Sequence, residues 1–174
     1  MPDQAAEQAK LDREREREAE EAHAMAVLGE RGGEGNLDRR FEGAARDWKR
    51  IALDYAKRAG TTDAEDRISW RCRAAMAWLK AARDFASAAR HAKVAARARD
   101  LADESQKAYA QAARLFEECA RGHIESGELI QARGDLEEAL LCYERCADAA
   151  GVERAGKLAG RVEGAIEHGI MQGD

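Results

Sequence analysis

Residues 68–92 read ISWRCRAAMAWLKAARDFASAARHA, and this stretch decides the fold. From Thr61 to Arg121 there is neither Gly nor Pro, the two strongest breakers of a helix. Two apolar seams interleave along the stretch. Ile68, Cys72, Ala75, Leu79, Ala82, Ala86 and Ala89 step by four and three, and so do Ala74, Trp78, Ala81, Phe85, Ala88 and Ala92. Such spacing keeps side chains on one face of a helix. A helix with two apolar faces has neighbours on two sides.

The whole chain carries the same signature. Of its 174 residues 45% are hydrophobic, and half of those, 39, are alanine. Alanine favours helix and buries little area. Val, Ile and Thr total 12, too few for a sheet. One proline, Pro2, and 36% charged residues complete an all-α profile. The net charge of −5 argues against general nucleic-acid binding. No apolar run approaches the length of a membrane span, and the acidic N-terminus lacks the apolar segment of a secretory signal. Four cysteines, Cys72, Cys119, Cys142 and Cys146, do not make a disulfide framework, so reduced thiols and a cytoplasmic location are expected.

Outward from the central stretch, residues 3–29 hold Lys10–Glu14 and Arg17–Glu21 at i,i+4, pairs that support a solvated helix. A partly docked helix is expected there, with disorder as the alternative. Gly29, Gly32, Gly33 and Gly35 mark a loop, so residues 1–36 form a charged, partly flexible N-terminal helix and linker ahead of a helical repeat domain at 37–174. No Gly-Lys-Ser/Thr follows these glycines, which excludes a phosphate loop. Residues 37–59 are amphipathic through Phe41, Ala44, Ala45, Trp48, Ile51, Ala52 and Tyr55, with Gly60 as the stop. Thr62 and Glu65 have the spacing of a capping box.

A helix break is expected near Asp100–Ser105, with Asp103 and Gln106 as a cap pair; a second, fainter turn signal lies at Ser87–Lys93. Further helices are expected up to Gly122, over 123–132, over 135–149 after Gly134, and beyond Gly151. Gly156, Gly160 and Gly164 in the last helix suggest a close helix contact or a weakly stable C-terminal helix.

One pattern recurs: Ala, an aromatic four later, a small or apolar residue three later. It occurs as Ala44-Trp48-Ile51, Ala81-Phe85-Ala88, Ala112-Phe116-Cys119 and Ala139-Tyr143-Cys146. The small residue admits a neighbouring helix and the aromatic fills the gap one turn on. The last copy lies in Gly134-Asp135-Leu136-Glu137-Glu138-Ala139-Leu140-Leu141-Cys142-Tyr143-Glu144-Arg145-Cys146, which resembles the second helix of a tetratricopeptide repeat (TPR). Gly127 falls at the small position of that family's first helix, and Ala139 and Tyr143 at its small and aromatic positions. His123 stands where the family has Trp, Cys146 where it has Ala, and Gly151 where it has Pro. The match covers roughly 120–153, about one repeat. The resemblance implies antiparallel helix hairpins in a right-handed superhelix, or failing that a compact bundle, with a surface for a peptide or partner helix. Ile124 and Glu128 occupy the positions of the basic residue and Asn with which some members grip a carboxylate, so that activity is not transferred.

Cys142 and Cys146, and Cys119 and His123, are spaced i,i+4, and thiolates with imidazole at helical spacing can hold zinc. Gly122 is expected to break the helix between Cys119 and His123, and Cys119 and Cys146 sit at small packing positions. These cysteines are therefore assigned to packing, with no metal and no cofactor. His23, His91, His123 and His168 show no triad spacing, so a non-enzymatic protein is expected.

Residues 64–99 hold nine basic against three acidic side chains, and 100–150 twelve acidic against five basic. Arg83, Arg90 and Arg97 recur every seven residues, a stripe on one helical face that either pairs with acidic neighbours or meets an acidic partner or RNA. The function expected is a protein-interaction scaffold of TPR-like type. The alternatives are a nucleic-acid-associated protein using Arg83, Arg90 and Arg97, or a self-associating bundle.

Overall fold

The computed structural model describes residues 2–33 and 35–171, with side chains from residue 6 except 34, 64, 65, 170 and 171. Among the described residues the chain is all-α. Its helices are α1 (Pro2–Arg31), α2 (Leu37–Ala59), α3 (Ala64–His91), α4 (Ala95–Glu125), α5 (Leu129–Arg145) and α6 (Ala149–Met171). No described helix is long and apolar enough to cross a membrane.

Glycine and cap signals misplaced several helix boundaries. Gly29 lies inside α1, and the turn after it uses positive φ at Gly33 and Asn36. Thr62 does not cap α3; its hydroxyl donates to the Arg58 carbonyl at the end of α2, and the Glu65 side chain lies outside the described residues. The turn between α3 and α4 falls at residues 92–94, at the fainter signal, and Asp100–Ser105 is helical. Asp103 and Gln106, the expected cap pair, lie inside α4, and the buried Ser105 hydroxyl between them donates 2.8 Å to the Ala82 carbonyl. Gly122 does not end α4, which runs to Glu125. A Cβ at Gly122 would come within 2.7 Å of the Ile68 side chain, so this glycine permits close packing of α3 against α4. Gly134 sits inside α5. The chain turns instead at Gly127, whose φ is +79°, where the TPR register has the middle of a first helix.

The α4–α5 and α5–α6 turns repeat one hydrogen-bond pattern 20 residues apart. Gly127 N–H bonds to Ile124 C=O and Glu128 N–H to His123 C=O; Ala147 N–H bonds to Glu144 C=O and Asp148 N–H to Tyr143 C=O. This is the helix-ending turn that satisfies the last carbonyls. The Asp148 carboxylate then accepts from Gly151 N–H at 2.9 Å and caps α6.

The chain forms two compact units, Met1–Ile51 with Lys80–Ser105, and Ala52–Leu79 with Gln106–Asp174. In the first unit α1 runs parallel to its stretch of α3, joined by Glu20–Lys80 at 2.9 Å, His23–Asp84 at 2.6 Å and Glu30–His91 at 2.9 Å. α2 runs parallel to α4 through Asp38–Arg97 and Lys49–Glu104, each 2.9 Å. The Phe41 ring stacks on His91 and meets His23 edge-on, so α2 also lies against α1 and α3.

In the second unit α3 and α4 are antiparallel, with Gly122 under Ile68 and Arg71 3.4 Å from Glu118. α5 packs on α6, where Gly151 faces the Tyr143 ring. Arg154 of α6 reaches back to Glu117 of α4, and Cys72 of α3 lies beside Asp135 of α5. Within each unit a helix therefore contacts both the next helix and the next but one.

The buried apolar residues are mostly alanines, which let helix axes approach closely. Every member of the four Ala–aromatic–small triplets is buried except the half-buried Cys146. Both seams of α3 face neighbours, the residues being buried or half-buried. Gly156, Gly160 and Gly164 make no close helix contact: a Cβ at each would meet nothing within 4 Å.

Candidate functional site

In the first unit a cleft of about 270 Å³ is lined by Glu20, His23, Trp48, Lys80, Arg83 and Asp84. Lys80, Arg83 and Asp84 share one turn of α3, with α1 supplying Glu20 and His23 and α2 supplying Trp48. Asp84 is 1% exposed. Its Oδ1 lies 2.6 Å from His23 Nδ1, and its Oδ2 has no hydrogen-bond partner. Burial pushes the Asp84 carboxyl above its usual value, against the opposing pull of His23 and Lys80. The Lys80 ammonium sits 4.0 Å from the centre of the Trp48 ring, a cation–π contact, and 2.9 Å from Glu20. Arg83 is exposed. The cleft thus sets the Trp48 ring beside Lys80 and Arg83, with Glu20 paired to Lys80 and Asp84 paired to His23.

The three arginines do not form one stripe. Arg83 and Arg90 are exposed on α3, whereas Arg97 lies beyond the turn, on α4. Arg90 donates to Ser87 at 2.9 Å. Arg97 is clasped by Asp38 and Glu42, at 2.9 and 2.5 Å. A helix that ends at His91 breaks the seven-residue register.

Of the repeat positions, Ala81 and Phe85 are buried in the first unit, and Ala112, Phe116, Ala139 and Tyr143 in the second. Gly127 makes the α4–α5 turn and Gly134 is exposed on α5. The Cys146 thiol donates to the Tyr143 carbonyl at 3.5 Å. Tyr143 and Glu117 are the buried members of a network completed by two exposed arginines. Its hydroxyl donates 2.7 Å to Glu117 Oε2 and accepts 3.0 Å from Arg154. Arg121 donates 2.6 Å and Arg154 3.1 Å to Glu117 Oε1. Burial alone would raise the Glu117 pKa, but the hydrogen bonds from Arg154, Tyr143 and Arg121 outweigh it and hold this carboxyl below its usual value. Tyr143 is pushed up to about 12, first by burial and then by its bond to Glu117.

A third cluster lies in the second unit. Cys72, His123 and Asp135 bring ligand-type atoms within 4.8 Å of one another, and the buried Cys119 thiol interacts electrostatically with Cys72. Cys72 and burial both push the Cys119 thiol above its usual value. His123 Nδ1 lies 2.7 Å from Asp135 Oδ2. Burial raises the Asp135 carboxyl, against the pull of His123.

Sequence reading missed Glu20, His23 and Asp84 because their partners lie about sixty residues away. One signal was available: Asp84 is the single acid in the apolar run from Ala74 to Ala92. Glu117, Arg154 and Asp135 carried no comparable mark. No protein-family model matches the chain, and no curated protein matches it.

Proposed function

We propose that this protein is a non-enzymatic helical-repeat scaffold of TPR-like type that binds an acidic segment of a partner protein. The observation that carries the reading is second-neighbour packing. α1 is tied to α3 and α2 to α4 in one unit, and α3 meets α5 and α4 meets α6 in the other. In an up-and-down bundle such partners sit diagonally apart; in stacked hairpin repeats they are neighbours. The equivalent turns at Gly127 and Ala147 add to the reading, although the TPR register is displaced.

The partner contact in this reading is the cleft with Trp48, Lys80 and Arg83. Its test is a quantitative pull-down from the native host, comparing wild type with Arg83→Glu. Arg83 is exposed, so the variant should melt like wild type. The expected result is an acidic partner held in a salt-sensitive way by wild type and lost by the variant. A wild type that holds nothing the variant loses overturns the assignment of the cleft. A gel shift with RNA at low salt that Arg83→Glu abolishes would replace the protein partner with nucleic acid.

A further inference from the structure

Three helices of the second unit converge on a cluster that packing alone does not require. Cys72 comes from α3, Cys119 and His123 from α4, and Asp135 from α5. Because α4 is continuous through Gly122, Cys119 and His123 do share a helix face, one turn apart. His123 there meets Cys72 and Asp135. Cys142 is buried and Cys146 is bonded to its own helix backbone.

We propose that Cys72, Cys119, His123 and Asp135 form a structural Zn²⁺ site that ties α3, α4 and α5 together. Two thiolates, an imidazole and a carboxylate are a donor set that zinc accepts, with the soft sulfurs selecting it over Mg²⁺ or Ca²⁺. Zinc bonds of about 2.3 Å to sulfur and about 2.0–2.1 Å to nitrogen and oxygen place tetrahedral ligand atoms roughly 3.3–3.8 Å apart. The Cys72, His123 and Asp135 donors already lie within 4.8 Å of one another, and Cys119, one helical turn before His123 on α4, supplies the fourth donor by turning towards them. For those three donors a closing of about an ångström reaches zinc-ligand spacing.

The surroundings fit a metal of this kind. His123 and Asp135 are about 16% and 15% exposed and Cys119 is fully buried, so an ion can enter from the His123 side and settle against the inner thiol. Binding releases the two thiol protons to solvent. Zn²⁺ with two thiolates and one carboxylate carries one net negative charge, a load that a partly exposed site shares with solvent. Thiol, imidazole and carboxylate are also the parts of a nucleophilic triad. A second thiol on Cys119, and the Glu128 carboxylate 3.5 Å from His123 Nε2, favour the cage.

The test uses the full chain, reduced and stripped of metal, titrated with Co²⁺ and then Zn²⁺. Wild type should develop tetrahedral cobalt bands with thiolate charge transfer at one equivalent. Zinc should bleach them, raise the melting temperature and protect Cys72 from alkylation. Cys72→Ser and Asp135→Asn should each weaken zinc by at least about tenfold, while Cys146→Ser should bind like wild type. Asp135→Asn keeps the test open if the cysteine variant folds poorly. No thiolate–cobalt band in wild type, bands unchanged in both ligand variants, or Cys72 alkylation indifferent to zinc overturns the site.

Discussion

Two Gly→Ala substitutions on α6 should move stability in opposite directions. At Gly160, an exposed helical position, a Cβ meets nothing within 4 Å. Alanine there keeps the helix propensity gain of about 1 kcal/mol and should raise Tm by roughly 2–4 °C. At Gly151 the new Cβ would lie about 2.6 Å from Cγ and Cε1 of Tyr143, far inside contact distance. Tyr143 cannot swing away cheaply, because Glu117 and Arg154 hold its hydroxyl at 2.7 and 3.0 Å. Overpacking of this kind costs about 1–3 kcal/mol, and the propensity gain in the first turn is smaller than mid-helix. The net is a loss of about 1–2 kcal/mol, or roughly 2–8 °C in Tm. The two sites are nine residues apart, about 13 Å along the helix, so the double variant should be additive. Urea titration and thermal melting followed by circular dichroism read all three. A Gly151→Ala protein that melts at or above wild type would refute the packing of Tyr143 on α6.

Ala139 is fully buried, so Ala139→Glu should bury a charge between helices and unfold the second unit at 25 °C; a wild-type melt would sink the placement of α5. Glu117 titrates below its unfolded value near 4.5, so its contribution is present above that pH and is lost as pH falls through the folded value. Glu117→Gln should therefore cost about 2 kcal/mol at neutral pH, and its urea midpoint should converge with wild type on acidification; a gap independent of pH contradicts the network. Asp84 has the opposite sign. Its folded value is raised above 3.8, so its favourable contribution is complete below that pH and is lost as pH rises through the folded value. Acidification from neutral pH should then stabilise wild type relative to Asp84→Asn, and midpoints measured across that range that show no relative gain would contradict the burial.

The sequence by itself determined the helical class, the seams of α3 and the burial of the Ala–aromatic–small triplets. Those follow from periodicity, which is a property of neighbours in the chain. It misread Gly122 and Gly134 as breaks, because one residue type serves both a turn and a close approach. Only the tertiary structure showed that Gly122 makes room for Ile68 while Gly127 makes the turn. Likewise the sequence left Arg97 either paired with acidic neighbours or free for a partner, and only α2, bringing Asp38 and Glu42 to it, decided for pairing. His123 met Cys72 of α3 and Asp135 of α5, residues that no spacing along the chain links to it. Ion pairs and ligand sets depend on residues far apart in the chain, and no local spacing encodes which helices become second neighbours.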